Sequence, residues 1–178
     1  MLELPKQESI LFTTLTMDLP HFLKIALEQA EKAHLAGNVP IGAIIVNESG
    51  EIISVGANEI KTNFDVTAHA EVVALRQAGQ KAMTKYHAEP TWLFTTLEPC
   101  VACSFFITRS NVKHVVWALS DPYAGGIDDL MLSPKLGDKI KAIELIAEPD
   151  PQCRERSSAL MQEYFLQKGD AETARFFV

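Results

Sequence analysis

Cysteine is scarce in this sequence, with three residues among 178. Small secreted proteins that depend on disulfides carry more cysteines at paired spacings, so no disulfide framework is expected. Two of the cysteines, Cys100 and Cys103, form a C-x-x-C pair, and Cys153 is left over. We expect a reduced, cytoplasmic protein in which Cys153 is an inert helix residue.

Long apolar runs and basic residues are also lacking. No stretch approaches the roughly 18 continuous apolar residues of a membrane span, and the first five residues do not resemble a secretory signal, so no membrane partner is expected. Lys and Arg number 16 against 23 Asp and Glu, which gives a formal net charge of −7. Nucleic-acid affinity rests largely on Lys and Arg, so this balance is unfavourable for RNA, although a local basic patch can lie on an acidic protein.

What the sequence does contain is an ordinary globular mixture, 47% hydrophobic and 22% charged, which is enough for a packed core. Its length indicates one domain. We interpret residues 1–17, which show few periodic signals, as an N-terminal extension, and residues 18–178 as a single domain.

Helical and strand patterns alternate along this domain. The apolar spacing predicts helices over residues 20–37, 68–79, 100–108 and 157–167, and strands over residues 41–46, 51–55, 91–97, 113–118 and 142–147. Loops are predicted over residues 58–66 and 121–126. Because the first two strands form a hairpin, we predict an α/β fold of three layers, α/β/α, around a central mixed five-stranded sheet.

Three short pieces carry residues suited to metal chemistry: His69-Ala70-Glu71, Pro99-Cys100 and Cys103. A catalytic zinc keeps three protein ligands and leaves its fourth position to water. Cys100 and Cys103 point the same way from the start of a helix, whose N-terminus favours thiolates. The H-x-E…P-C-x-x-C spacing is a signature of zinc nucleobase deaminases. We therefore predict Zn²⁺ as the cofactor, with His69, Cys100 and Cys103 as its ligands.

Glu71 is poorly placed as a further ligand on the same turn but can lie beside the water of such a site. Zinc lowers the pKa of bound water from 15.7 towards about 7, and a nearby carboxylate can move its proton to a ring nitrogen and another to the departing amine. This chemistry is hydrolytic deamination. Two other interpretations stay open, a redox C-x-x-C pair and a structural zinc site with His87, His114 or Cys153 as the fourth ligand.

A family resemblance extends over about residues 20–167, nearly the whole chain. The sequence resembles the cytidine deaminase-like zinc deaminase superfamily, and most closely the branch of tRNA adenosine deaminases and bacterial guanine deaminases, in Val-Pro-Ile-Gly-Ala (39–43), Asn58, Thr-Ala-His-Ala-Glu (67–71) and Thr-Leu-Glu-Pro-Cys-Val-Ala-Cys (96–103). The resemblance implies one zinc held by the three predicted ligands, a five-stranded sheet between helices and usually a homodimer. It implies that Glu71 shuttles protons and that Asn58 binds the base, although Asn58 is also explained as a plain loop residue.

The markers of the substrate conflict. Ala74-Leu75-Arg76-Gln77 looks like the tRNA-editing enzymes. Phe105-Phe106, by contrast, stands where those enzymes usually have small residues, and the last helix lacks their basic run, which removes phosphate contacts that RNA would use. Gly126-Ile127-Asp128-Asp129 resembles the Gly-Phe-Asp-Asp of bacterial guanine deaminases, which implies a proton-moving role for Asp129. The plain alternative is a helix cap.

Two aromatic residues and the C-terminus complete the candidates. Phe64 and Tyr123 lie in loops near the zinc motif, where either can stack a base, at about 1–3 kcal/mol, or simply pack under its loop. The tail Phe176-Phe177-Val178 could close the site, as the family's tail does, or make core or dimer contacts.

We therefore predict a zinc-dependent hydrolytic deaminase of a purine or pyrimidine base or nucleoside, with a guanine-like base favoured. The alternative within the same chemistry is tRNA adenosine-to-inosine deamination, which makes tRNA a less favoured partner. A third interpretation is a catalytically silent binding subunit, against which the intact His69, Glu71, Cys100 and Cys103 argue. A second copy of the chain, in a homodimer, is the expected protein partner.

Overall fold

The computed structural model describes residues 17–82 and 89–178. Apart from Met17, the proposed N-terminal extension lies outside the described residues, as does His87. None of the helices in the described part of the chain is both long and apolar enough to cross a membrane.

Helices and strands alternate in the order that the sequence predicts. In chain order the elements are α1 (Leu19–Leu35), β1 (Gly42–Asn47), β2 (Ile52–Ala57), α2 (Ile60–Asn63), α3 (Ala70–Ala78), β3 (Thr91–Thr95), α4 (Val101–Thr108), β4 (Val112–Trp117), α5 (Ile127–Met131), α6 (Gly137–Lys141), β5 (Glu144–Ala147), α7 (Pro151–Gln167) and α8 (Ala171–Ala174). Short 3₁₀ turns follow α3 and α8.

The five strands form one mixed sheet in the order β2-β1-β3-β4-β5. Strand β1 runs antiparallel to both β2 and β3, whereas β3, β4 and β5 run parallel. The tight turn between β1 and β2 imposes the antiparallel pairing, and the Asn47 side chain stabilises it by accepting hydrogen bonds from the backbone N–H groups of Ser49 and Glu51. The predicted mixed sheet is confirmed.

Helices cover both faces of this sheet because successive strand residues point to opposite sides. Ile45, Leu93 and Val115 pack on one face against α3, α4, α5 and α6. Ile44 and Phe94 pack on the other face against α1 and α7. The three-layer α/β/α architecture is therefore also confirmed.

The predicted loop over residues 58–66 is wrong in part, because α2 occupies its centre. Two N–H groups of the first turn of α2, on Lys61 and Thr62, donate to the Asn38 side chain at 2.8 and 3.2 Å. Asn38 lies more than 20 residues away in sequence and stabilises this short helix as a distant cap. No local pattern in the sequence signals such a partner.

Helix α7 begins earlier than predicted. Asp150 accepts a hydrogen bond from the Cys153 backbone N–H at 2.8 Å and Pro151 occupies the first turn, a common start for a helix. The polar residues before Ser157 hide this first part of the helix from a search for apolar periodicity. Strand β5 is also shorter than predicted, since α6 extends to Lys141.

Candidate metal centre

Two helix starts bring the predicted metal ligands together. His69 and Cys100 each occupy the residue just before a helix, α3 and α4 respectively, with extended backbones (φ −68° and −66°). Cys103 lies one turn further along α4 and is buried. The positive ends of both helices therefore face one point, where they favour thiolates.

Two glycines allow these helix starts to lie close to their neighbours. A Cβ on Gly56 of β2 would lie 2.2 Å from the carbonyl oxygen of Ala70, the first residue of α3. A Cβ on Gly126 would lie 2.0 Å from the backbone nitrogen of Val101, the first residue of α4. Because only glycine permits such approaches, both positions help to set where the donors lie.

The donor atoms are close enough for a single ion. His69 Nδ1 lies 3.8 Å from Cys100 Sγ, and the ligand atoms of His69, Cys100 and Cys103 all lie within 4.8 Å of one another. Among the described residues no other His, Cys, Asp or Glu joins this group. One imidazole and two thiolates match the ligands that zinc prefers, and three protein ligands leave its fourth position open.

Two of the three candidate fourth ligands of a structural zinc site, His114 and Cys153, lie in other surroundings, and the third, His87, is outside the described residues. His114 stacks on Trp92 at 3.9 Å and its Nδ1 lies 2.7 Å from a Glu144 oxygen. Cys153 packs in the core between α7 and α1, where burial raises the pKa of its thiol to about 12. Neither residue contributes to the donor group, and Cys153 fits the inert role expected of it.

The two donor thiols, Cys100 and Cys103, differ in the direction of their pKa shifts. The hydrogen bond with the Cys103 thiol, together with that to the His69 ring, lowers the pKa of Cys100 to about 4. The same contact with Cys100 raises the pKa of Cys103, and the nearby Cys100 raises the pKa of His69. Before metal binding, therefore, Cys100 carries the negative charge, and Cys103 must lose its proton when zinc binds.

Glu71 lies beside the donors without being one of them. Its side chain is 3% exposed, and this burial raises the pKa of its carboxyl group. Thr95 Oγ1 donates a hydrogen bond to Oε1 at 3.3 Å, and the Cys103 thiol lies 3.4 Å from Oε2. A buried carboxylate next to the metal donors is well placed to accept and release a proton.

The predicted base-binding residue Asn58 directly follows β2. It is 2% exposed, and its Oδ1 accepts a hydrogen bond from the Ile60 N–H at 3.3 Å. Its Nδ2 makes no hydrogen bond to another residue in the described part of the chain, and Asn58 is one of the residues that line a cavity of about 260 Å³ between α1, α2 and α3.

The two predicted stacking residues differ in their surroundings. Phe64 ends α2 in the left-handed conformation (φ 53°) and is 95% exposed, with no ring contact among the described residues. The Tyr123 ring packs against Phe176, with 5.5 Å between the ring centres. Neither ring is brought against the metal donors, so their base-stacking role stays a prediction.

Asp129 lies on the exposed face of α5 and does not join the metal donors. It lines a cavity of about 490 Å³ together with Phe176 and Val178 of the tail. The tail is fixed there because Phe177 stacks on Phe165 and its carbonyl accepts hydrogen bonds from Ser158 and Gln162. Asp129 and the tail therefore share one cavity, and the closing of the site by the tail stays a prediction.

Sequence reasoning missed how the loop over residues 121–126 is fixed beside the donors. Gly125 forms a β-bridge with Cys100, and Glu98 Oε2 accepts a hydrogen bond from the Asp121 N–H at 3.2 Å. Burial raises the pKa values of both Glu98 and Asp121. Glu98 was visible only as part of the Glu-Pro-Cys motif, and nothing in the sequence links it to a loop more than 20 residues away.

Fold and donor set together define a zinc-dependent deaminase, a hydrolase that acts on C–N bonds. Residues 17–119 match the family model described as the cytidine and deoxycytidylate deaminase zinc-binding region. The chain belongs to this family, so the predicted superfamily and the zinc cofactor are confirmed.

The relatives include enzymes of both branches. A protein of Aquifex aeolicus named tRNA-specific adenosine deaminase is 40% identical over 124 residues, which is 68% of this chain and 81% of that protein. A solved tRNA:A34 deaminase is 29% identical with a TM-score of 0.64, covering 74% of this chain and 99% of its own. The guanine deaminase of Nitrosomonas europaea is 22% identical with a TM-score of 0.68, covering 85% and 86%, which shows a shared fold alone.

Proposed function

We propose that this chain deaminates adenosine within a tRNA, which the sequence indicated only as the alternative. The observation that carries the proposal is the 40% identity to the tRNA-specific adenosine deaminase of Aquifex aeolicus over 81% of that protein. The guanine-like preference rested instead on residues 126–129 and the tail, which lie beyond the residues matched by the family model. The curated relative with 40% identity, named tRNA-specific adenosine deaminase, gives that preference no support.

The arrangement of side chains suits hydrolytic loss of an amino group. His69, Cys100 and Cys103 would hold the zinc, which supplies a Lewis acid that lowers the pKa of water towards about 7. Glu71 takes a proton from the attacking water and delivers it to the ring nitrogen. It then takes the second proton, from the hydroxyl added to the ring carbon, and delivers it to the amine as the C–N bond breaks. Asn58 donates from Nδ2 to the base and so fixes its orientation. In the overall reaction, water and an aminopurine give an oxopurine and ammonia.

An RNA substrate must avoid one side of this centre. The cavity that contains Asp129 is also lined by Glu98, Asp121, Asp128 and Glu148, with Arg154 as its basic side chain. Such a surface repels phosphates. We therefore infer that RNA approaches over the 58–67 segment.

The 58–67 segment leads from Asn58 to the helix that starts after His69. It presents the exposed ring of Phe64, whereas the Lys61 ammonium donates to the Tyr164 hydroxyl and lies over the Tyr164 ring. A ring that can stack a base is one of the groups that single-stranded RNA uses, so Phe64 is the residue that favours this approach.

One observation favours a second candidate, deamination of a free guanine-like base. The acidic cavity is lined by Asp129 and by residues of the tail, and it has the size of a small-molecule site. A small neutral base meets no repulsion there, whereas a polyanion does. This candidate makes Asp129 a catalytic residue, which the tRNA proposal does not require.

Turnover assays separate the two candidates. Zinc-loaded protein is incubated separately with an anticodon stem-loop RNA that contains adenosine, with adenosine, with guanine, with cytosine and with cytidine, and ammonia release is measured. We expect turnover of the RNA, with kcat/KM falling steeply between 50 and 200 mM salt because phosphate contacts are screened. Turnover of guanine alone, insensitive to salt and lost in Asp129→Asn, would refute the tRNA proposal.

We further propose that the chain forms a homodimer through α4 and the groove between α3 and α4. Phe105 and Phe106 of α4 are 39% and 43% exposed, and Val101 on the same helix is also exposed. The adjoining groove of about 340 Å³ is lined by Val72 and Leu75. Exposed apolar side chains beside a groove that also carries Arg76 and Arg109 are typical of a protein interface, in which polar residues surround an apolar centre.

A further inference from the structure

Thr95 is the last residue of β3, and its position is fixed on both sides. Its backbone pairs with Ala43 of β1 and with Trp117 of β4, and its carbonyl accepts a hydrogen bond from Ala118 at 3.1 Å. The side chain is fully buried. Because a β-branched side chain has few rotamers, the Thr95 hydroxyl is among the most rigidly held groups near the metal donors.

The Thr95 hydroxyl donates to only one oxygen of the Glu71 carboxylate. The distance from Oγ1 to Oε1 is 3.3 Å, whereas the other oxygen, Oε2, lies 3.4 Å from the Cys103 sulfur. The two oxygens of Glu71 are therefore distinguished by their neighbours. Oε1 faces the sheet, and Oε2 faces the metal donors.

We infer that Thr95 is a positioning residue of the deamination reaction, which holds Oε1 of Glu71 and thereby leaves Oε2 as the oxygen that carries the proton. A glutamate side chain has three rotatable bonds, and burial alone does not fix the orientation of its carboxylate. A hydrogen bond from a rigid strand to one oxygen fixes that orientation and directs the other oxygen towards the metal donors. Proton transfer is sensitive to such placement, because displacements of about 1 Å can reduce rates a hundredfold.

The next residue provides a comparison within the same strand end. Thr96 is also fully buried, but its Oγ1 accepts a hydrogen bond from the Gly42 N–H at 3.2 Å. None of the hydrogen bonds in the described residues joins Thr96 to Glu71. A purely structural role for buried threonine hydroxyls in this strand would give similar consequences when either is replaced.

Three variants test the inference: Thr95→Val, which keeps the shape and removes the hydroxyl, Thr95→Ser, which keeps the hydroxyl, and Thr96→Val as the matched control. Each is loaded with zinc, and its zinc content and thermal unfolding midpoint are measured first. kcat and KM are then determined on whichever RNA or free base the wild-type protein turns over. Crystal structures of the zinc-loaded variants show the orientation of the Glu71 carboxylate.

We expect Thr95→Val to retain one zinc and to lose about 10-fold to 100-fold in kcat with KM unchanged, as for a lost hydrogen bond to a charged group. Its Glu71 carboxylate should be rotated or adopt two orientations. Thr95→Ser should restore kcat to within about threefold of the wild type, and Thr96→Val should change only the unfolding midpoint.

The inference fails if Thr95→Val keeps its kcat, if Thr96→Val loses as much, or if Glu71 is unmoved in the Thr95→Val crystal structure. These outcomes do not depend on which substrate is used, so a failure of the tRNA proposal is recognised separately. Should no substrate be turned over, the orientation of Glu71 in the variant structures still decides whether Thr95 holds it.

Discussion

Replacing Gly126 by alanine should weaken zinc binding without touching a ligand. The new Cβ would lie 2.0 Å from the Val101 nitrogen and 2.6 Å from the Val101 Cα, whereas Cβ atoms essentially never approach closer than 3.0 Å. The start of α4 must therefore move by about 1 Å. Val101 directly follows Cys100, and metal–ligand distances tolerate only about 0.2 Å of error.

This movement should lower both the free energy of unfolding and the affinity for zinc. Overpacking against backbone costs about 1–3 kcal/mol in the free energy of unfolding. We expect zinc affinity, measured by competition with a chromophoric chelator, to fall at least about tenfold, since tenfold corresponds to about 1.4 kcal/mol. Excess zinc should raise the thermal unfolding midpoint less than it does in the wild type.

Gly37→Ala is the matched control. Gly37 has a φ of +83°, but a Cβ there meets no atom within 4 Å. The substitution should cost about 1–2 kcal/mol through the left-handed backbone alone and leave zinc affinity unchanged. If Gly126→Ala binds zinc as tightly as Gly37→Ala, the close approach of Gly126 to α4 does not position Cys100 and the reasoning is refuted.

Three further predictions concern the proton carrier, the donor thiols and the interface. Glu71→Gln should retain one zinc by metal analysis yet lose more than about 99% of turnover, because the amide cannot accept the proton; loss of zinc would instead make Glu71 a ligand. In metal-free protein at pH 6, iodoacetamide should modify Cys100, whose pKa of about 4 leaves it a thiolate, and spare Cys153, whose pKa is about 12. Mass spectrometry that finds Cys153 modified first would contradict this assignment. Phe105→Glu should convert a dimer to a monomer in analytical ultracentrifugation, whereas Leu35→Glu, at a site 86% exposed on α1, should not; equal behaviour of the two would place the interface elsewhere.

The layered fold and the metal donors were predictable because both depend on short-range patterns. A short apolar run rich in β-branched residues, such as Ile44 and Ile45, predicts a buried strand whose successive residues face opposite sides of the sheet. The spacing of Cys100 and Cys103 places both sulfurs on one side of a helix start, and His69 precedes the other helix. The structure follows these local patterns because its tertiary contacts agree with each local preference of the sequence.

The features that were missed depend on partners distant in the sequence. Helix α2 is stabilised by Asn38, and the loop beside Cys100 is tied to Glu98. The hydrogen bond from Thr95 to Glu71 joins residues 24 positions apart. Helices α5 and α6, with five residues each, are too short to show an apolar period. Such details follow from tertiary contacts and not from local propensity.

The distance along the chain between His69 and Cys100, 31 residues, gives the metal a second role. An ion bound to both residues cross-links the starts of two helices in the folded chain, whereas the unfolded chain does not hold the donors together, so the binding free energy of the ion adds to the stability of the fold. Metal supply then becomes a determinant of protein lifetime, since free zinc at a hundred times its Kd adds about 2.7 kcal/mol to the free energy of unfolding. A cell short of zinc would lose this enzyme to proteolysis as well as to inactivity.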